Sequence, residues 1–76
     1  MSSKLLDPET IRIGENIKKS LAAIERDQAW LGRRLGVTRQ SVGAWVDGKN
    51  YPKLEHIVVM ATRVFKVTET KLIRGK

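Results

Sequence analysis

At 76 residues the chain is near the small end of what folds as one domain without a covalent or metal staple. It has no cysteine, which excludes a disulfide framework and a thiolate metal site, and no apolar run long enough for a membrane span or a signal peptide, so a cytoplasmic protein is the expectation. Fifteen Lys and Arg against eight Asp and Glu give a net charge of +7, the balance of a protein that meets a polyanion or simply carries a solvated basic surface.

Residues 1–6 read as a flexible arm whose one charge is Lys4, with Leu5 and Leu6 folding back onto the body. The first helix is expected to start at Asp7. Asp is a strong N-cap, Pro8 suits the first helical position, and Glu9 favours the positive helix end. Leu6 and Ile11 are spaced as a hydrophobic staple. Ile13, Ile17, Leu21 and Ile24 then recur with helical spacing and define one buried stripe through about Glu25. Lys18 and Lys19 fall on the wet side and read as solubilising charges.

Asp27 is the expected cap of a second helix over about 28–35, in which Leu31 and Leu35 share a face. Gly32 inside it costs up to about 1 kcal/mol relative to Ala, and close helix contact is the expected compensation. Arg33 and Arg34 sit in the last turn, where cations help a helix end whatever else they do. Trp30 either lies against a neighbouring helix or offers a surface to a protein partner. Gly36 stops the helix where a left-handed backbone is needed.

The third helix is expected over about 38–46. Thr38 caps it and Val37 staples onto Val42. Val42, Trp45 and Val46 form its inner side, with Ser41 at the edge. Arg39, Gln40, Gly43, Ala44 and Asp47 form the outer side. A guanidinium and an amide near the helix start, followed by two very small residues, suit a helix pushed into a DNA major groove. Arg can pair with guanine, Gln with adenine, and the Ala44 methyl with a thymine methyl. Gly43 has no core reason to sit in a helix, and its outward placement fits close approach to another surface. From Gln28 to Lys53 five basic residues stand against Asp47 alone, so this window carries +4 of the +7.

After Gly48 come Lys49, Asn50, Tyr51, Pro52 and Lys53. Asn50 reads equally as a turn residue, and Tyr51 either bonds a phosphate or covers the core. Leu54, Ile57, Val58, Ala61, Val64 and Phe65 give the fourth helix its apolar stripe. Val67 and Leu72 staple across Thr68 into a short fifth helix ending near Ile73, with 74–76 frayed. Val59, Met60 and Ile73 fall off the main stripe and are the residues for a dimer surface or for a loosely filled core.

The run from Gln28 to Gly48 resembles the lambda repressor-like, Cro/C1-type helix-turn-helix family. Carrying the resemblance are Gln28 opening one helix, Gly32 at the crossing, Gly36 in the turn, Val42 in the core, Trp45 three residues later and Gly48 at the end. The Val-Gly-Ala at 42–44, with Gly48 and Asn50 after it, is especially similar, and the register holds from about Ile13 to Ile73. Trp30 departs from the family, where that position is commonly polar. The resemblance implies an all-α fold, a compact bundle of five short helices in a single domain over 7–73. It implies a sequence-specific transcriptional regulator, repressor-like and of phage or bacterial origin, binding a near-palindromic double-stranded DNA operator as a homodimer. Base readout would fall to Arg39, Gln40, Gly43 and Ala44, and backbone positioning to Gln28, Thr38, Ser41, Lys49, Asn50 and Lys53. An antitoxin or adaptor on the same fold is the alternative, with Trp30, Val59, Met60 and Ile73 as the partner surface.

Nothing in the sequence points to an enzyme. His56 is the one histidine and has no companions at metal-ligand spacing, and no Gly-rich loop follows a strand. No cofactor, metal or membrane partner is expected.

Overall fold

Asp7 opens the first helix as the sequence requires. Its carboxylate accepts the Glu9 N–H at 3.0 Å, Pro8 takes the first helical position, and α1 runs Pro8–Ala23. The computed structural model describes residues 7–75, so the arm expected over 1–6, its half of the Leu6–Ile11 pair, and Lys76 lie outside the described residues. Then follow α2 (Gln28–Leu35), α3 (Arg39–Val46), α4 (Leu54–Val59), which runs on without a break into a π-helical turn at Met60–Val64, and α5 (Glu69–Arg74). Among the described residues there is no strand, and the elements form the all-α bundle of five helices expected. A radius of gyration of 11.4 Å is that of a close-packed chain of this length, about 11 Å. Among the described residues no helix is long and apolar enough to cross a membrane.

Short polar side chains set four of the five helix starts, α4 beginning after Lys53 without a side-chain cap. Asp27 accepts from the Trp30 N–H at 2.8 Å, Thr38 from Ser41 at 3.1 Å and Thr68 from Lys71 at 3.0 Å. Each such cap contributes about 1 kcal/mol. Burial of a large aliphatic side chain contributes about 1.5–3 kcal/mol, so caps fix the ends while the core holds the bundle. That core is Ile13, Ile17 and Leu21 of α1, Leu31 of α2, Val42 and Trp45 of α3, Ile57, Met60 and Ala61 of the fourth helix, and Leu72 of α5. α1 packs on α3 and α5, and α2 packs on α3.

Three expectations, on Ile24, Leu54 and the end of α5, need correction, and two open ones, on Met60 and Ile73, resolve to the core. Ile24 is not in the α1 stripe: the helix ends at Ala23, Glu25 turns the chain with φ +58°, and Ile24 is left exposed. Leu54 is 70% exposed, whereas Met60, expected at a dimer surface or in a loosely filled core, is wholly buried. Giving equal weight to Leu54, Val58 and Phe65 puts the centre of the stripe on one side of Ile57. The buried face lies on the other side, on Ile57, Met60 and Ala61, with His56 at its border against the Trp45 ring. Ile73 also packs against the core, so of the three off-stripe residues Val59 alone is half-buried outside the core cluster. The end of α5 is not frayed through 75. Arg74 is helical, Gly75 closes the helix in the left-handed conformation, and Asn16 Nδ2 donates to the Leu72 carbonyl at 2.8 Å.

The π turn has its own hydrogen-bond signature. Phe65 N–H donates to the Met60 carbonyl five residues back at 2.7 Å, and the Thr62 hydroxyl donates to the Val58 carbonyl at 2.7 Å. Lys66 then reverses the chain with φ +58°.

Of the glycines, Gly14 on the buried side of α1 makes the closest approach to another helix. A Cβ there would collide with the Trp45 carbonyl oxygen and stand 3.0 Å from that of Val46, so the backbone end of α3 rests directly on α1. Neither atom is a movable side-chain tip. Replacing Gly14 by Ala should therefore lower stability by at least about 1–3 kcal/mol, read as a fall in the urea midpoint. Lys66→Gly should act the other way, raising the melting temperature by relieving left-handed strain, with a net gain of up to about 1 kcal/mol after the added chain entropy of glycine.

Candidate nucleic-acid interface

Three contacts hold the inner side of α3. At its C-terminal end the carbonyls of Trp45 and Val46 lie on Gly14. At its N-terminal end Gly32 abuts the turn, where an added Cβ would come within 2.9 Å of the Val37 carbonyl oxygen and 3.4 Å of the Arg39 nitrogen. Between them the Trp45 ring meets His56 with centroids 5.5 Å apart. The turn itself closes through Gly36, φ +74°, with Val37 N–H donating to the Gly32 carbonyl at 2.9 Å. The close contact expected at Gly32 is thus made with the turn and the first residue of α3.

With that side fixed, the other faces outward. Arg39, Gln40 and Asp47 are exposed, and Gly43, Ala44 and Ser41 are half-buried. A shallow groove is lined by Arg39, Gln40, Gly43, Ala44 and Asp47 together with Gln28 from α2 and Lys49 from the following loop. Gln28 Oε1 lies 3.4 Å from where a Gly43 Cβ would be, so this amide extends over the middle of α3. The expected readers are brought together, and Gln28 and Lys49 join them.

A second groove adjoins the first at Gln28 and Arg39. Lys18 and Ala22 of α1, Arg26 and Asp27 of the linker, and Ala29 at the start of α2 are among the residues that line it, over the buried Leu21 and the half-buried Val46. Asp27 takes up the N–H groups of Trp30 and Leu31, which leaves those of Gln28 and Ala29 as the donors at this helix start. Lys18 and Arg26 are cations beside the candidate site that sequence reasoning did not place there. Lys18 sits beside the buried stripe of α1, and only the packing of α1 on α3 reveals what it stands next to.

Asn50 and Lys53 lie elsewhere. They line a third groove on the opposite flank of α3 with Val37, Ser41, Trp45, Tyr51 and His56. The loop after α3 therefore divides, Lys49 to the groove of Arg39 and Gln40 and Asn50 with Lys53 to the far side. Thr38 spends its hydroxyl locally, accepting from Ser41 N–H and donating to Ser41 Oγ at 3.0 Å, so it acts as a cap and leaves Ser41 as the hydroxyl on that flank. Tyr51 is partly exposed. Burial first, then the carboxylates of Glu9 and Asp7, raise its pKa, so its hydroxyl remains a donor at neutral pH.

Trp30 is half-buried against the core, with the guanidinium of Arg26 5.2 Å and that of Arg34 5.8 Å from its ring centre. Packing is thus its principal role, and Arg34 covers it as well as standing at a helix end. Among the described residues no group of three or more His, Asp or Glu side chains is placed to hold a metal ion.

Gly43 differs from Gly14 in what surrounds it. Its added Cβ would touch only the tip of the flexible Gln28 side chain. Gly43→Ala should therefore stabilise the free protein, by up to about 1 kcal/mol from helix propensity, measured by chemical denaturation.

No family model matches the chain, nor does any curated protein or solved structure.

Proposed function

We propose that the chain is a sequence-specific double-stranded DNA-binding transcriptional regulator of the repressor type. In this reading α2, the turn and α3 are a helix-turn-helix, and α3 lies in the major groove. The observation that carries the reading is the groove shared by Arg39, Gln40, Gly43, Ala44, Gln28 and Lys49, flanked by Lys18 and Arg26. An outward helix face with a guanidinium, an amide and a slim middle matches the edges of base pairs, and the cations beside it match phosphates. The resemblance to the lambda repressor-like family points the same way.

Each residue then has a task. Arg39 and Gln40 read base edges. Gly43 and Ala44 allow the helix axis to come close. Gln28, with the free N–H groups at the start of α2, holds a phosphate on one flank, with Lys18, Arg26 and Lys49 adding charge. Ser41, Asn50 and Lys53 hold the backbone on the other flank. One such domain reads few base pairs, so a homodimer on a near-palindrome, with half-sites about 34 Å apart, supplies the remaining specificity. A regulator of this kind acts inside the cell, where its operator is.

Selection from a random duplex pool at moderate salt tests the reading. An enriched inverted repeat is the expected result, and binding that merely fades with salt and enriches nothing would overturn it. On the enriched operator, Arg39→Ala should cost about 1–3 kcal/mol and relax the preference at one base pair. Lys53→Ala should weaken all sequences alike and flatten the salt dependence by about one unit of slope. Equal losses on every sequence for both variants would contradict the division into readers and positioners.

A further inference from the structure

Asp47 stands in the middle of the outward face of α3, and its position there is unfavourable on every local count. It is the C-cap of α3, where the helix end is already negative, and no basic residue lies in the last turn. It is exposed, and no cation comes within ion-pair distance of it; among the described residues the one such pair is His56 with Glu55. Its side chain caps nothing, since the hydrogen bonds at this helix end come from backbone N–H groups.

Its placement excludes an edge role. Arg39, Gly43 and Asp47 succeed one another at four-residue steps, so they form one ridge. The backbone of Asp47 is still helical, with φ −80° and ψ −2°, so the ridge continues through it. Gln40 lies alongside, and the inner residues Val42 and Trp45 lie opposite. A carboxylate on a flank of the helix would meet phosphate and be repelled. On this ridge it meets base edges, where the exocyclic amino group of cytosine is the donor that a carboxylate accepts from.

We propose that Asp47 is a specificity-determining residue that selects a C·G pair through the cytosine amino group, at the opposite end of the half-site from the guanine read by Arg39. The inference rests on the reading of α3 as a DNA-recognition helix. Eight residues separate Asp47 from Arg39, about 12 Å along the helix axis, so the two base pairs lie within about four steps of each other. The carboxylate also opposes binding at sites that offer it no amino group, because a buried, unpaired anion facing DNA is costly.

Parallel selections from a random duplex pool with the wild-type chain, Asp47→Ala and Asp47→Asn test this. The wild-type motif should contain a C·G pair within four base pairs of the Arg39 guanine. Asp47→Ala should lose the preference at that pair alone, by roughly tenfold or more, and bind a duplex of unrelated sequence several-fold more tightly. Asp47→Asn should move the preference at that pair towards A·T, since an amide suits adenine. Because removal of an acid at a helix C-terminus does not weaken the fold, both variants should melt no lower than the wild type, which separates recognition from folding. A wild-type motif that Asp47→Ala leaves unchanged at every position, with or without tighter binding throughout, would overturn the role of Asp47 and leave the DNA-recognition reading standing. Absence of any wild-type motif would overturn both.

Discussion

The contact of α1 with the backbone of α3 at Gly14 is the constraint on which the rest of the structure depends. Ordinary helix pairs are separated by their side chains, and the spacing adjusts to whichever side chains are there. Here the carbonyls of Trp45 and Val46 lie on a residue with no side chain, so the separation is set by backbone atoms. Gly32 does the same at the other end of α3, against the turn. A helix of eight residues is marginal by itself. Fixed at both ends by backbone contacts and in the middle by Trp45, it becomes a rigid part whose outer side can afford small and unfavourable residues.

That arrangement separates stability from the proposed recognition along a single short element. The inner residues Val42 and Trp45 supply burial. The outer residues contribute little or work against the fold: Gly43 lowers helix propensity, and Asp47 opposes the helix dipole. The same residue type has opposite meaning on the two sides. Gly14 is demanded by what presses on it, whereas Gly43 has open space beside it apart from the Gln28 amide. Local rules fail on the outward face, as they do where a surface is shaped for a partner.

Much of this was legible from the residues. Asp7, Asp27, Thr38 and Thr68 announced four helix starts, and each is a cap in the structure. The stripe Ile13, Ile17 and Leu21 announced the buried side of α1. What failed was the rotation of the fourth helix. Leu54 and Val58 look as apolar as Ile57, and periodicity cannot say which edge of a broad stripe the neighbouring helices will cover, so the pattern puts Leu54 on the stripe and leaves Met60 open between surface and core. Gly14 stands between Ile13 and Ile17 on the buried side, and a glycine there, like Gly32, signals close helix contact, but nothing in the one-dimensional pattern says which helix presses on it. The outward set on α3 was legible because it is contiguous on one helix. The flanking grooves were not, since Lys18, Arg26 and the division of Lys49 from Asn50 and Lys53 arise from helices that meet only in three dimensions.

The π turn at Met60–Val64 is a length adjuster between two otherwise independent docking events. Upstream of it Ile57 is seated against the core, and downstream Val67 and Leu72 are seated, with Asn16 latching the end of α5. A regular α-helical turn over the same stretch would hold one residue fewer, and the chain would leave the helix about 100° away in direction. The widened turn absorbs that surplus residue where the helix ends, rather than passing it to the loop that follows. The connection to α5 is therefore short and hydrogen-bonded, through Val67 to the Ala61 carbonyl at 2.7 Å. Segment length here acts as a phase setting: Met60 and Ala61 keep the first part of the turn in the core, and the extra residue after them sets the direction in which the chain leaves for α5, whereas an extra residue inside α1 or α3 would turn an entire buried side towards water.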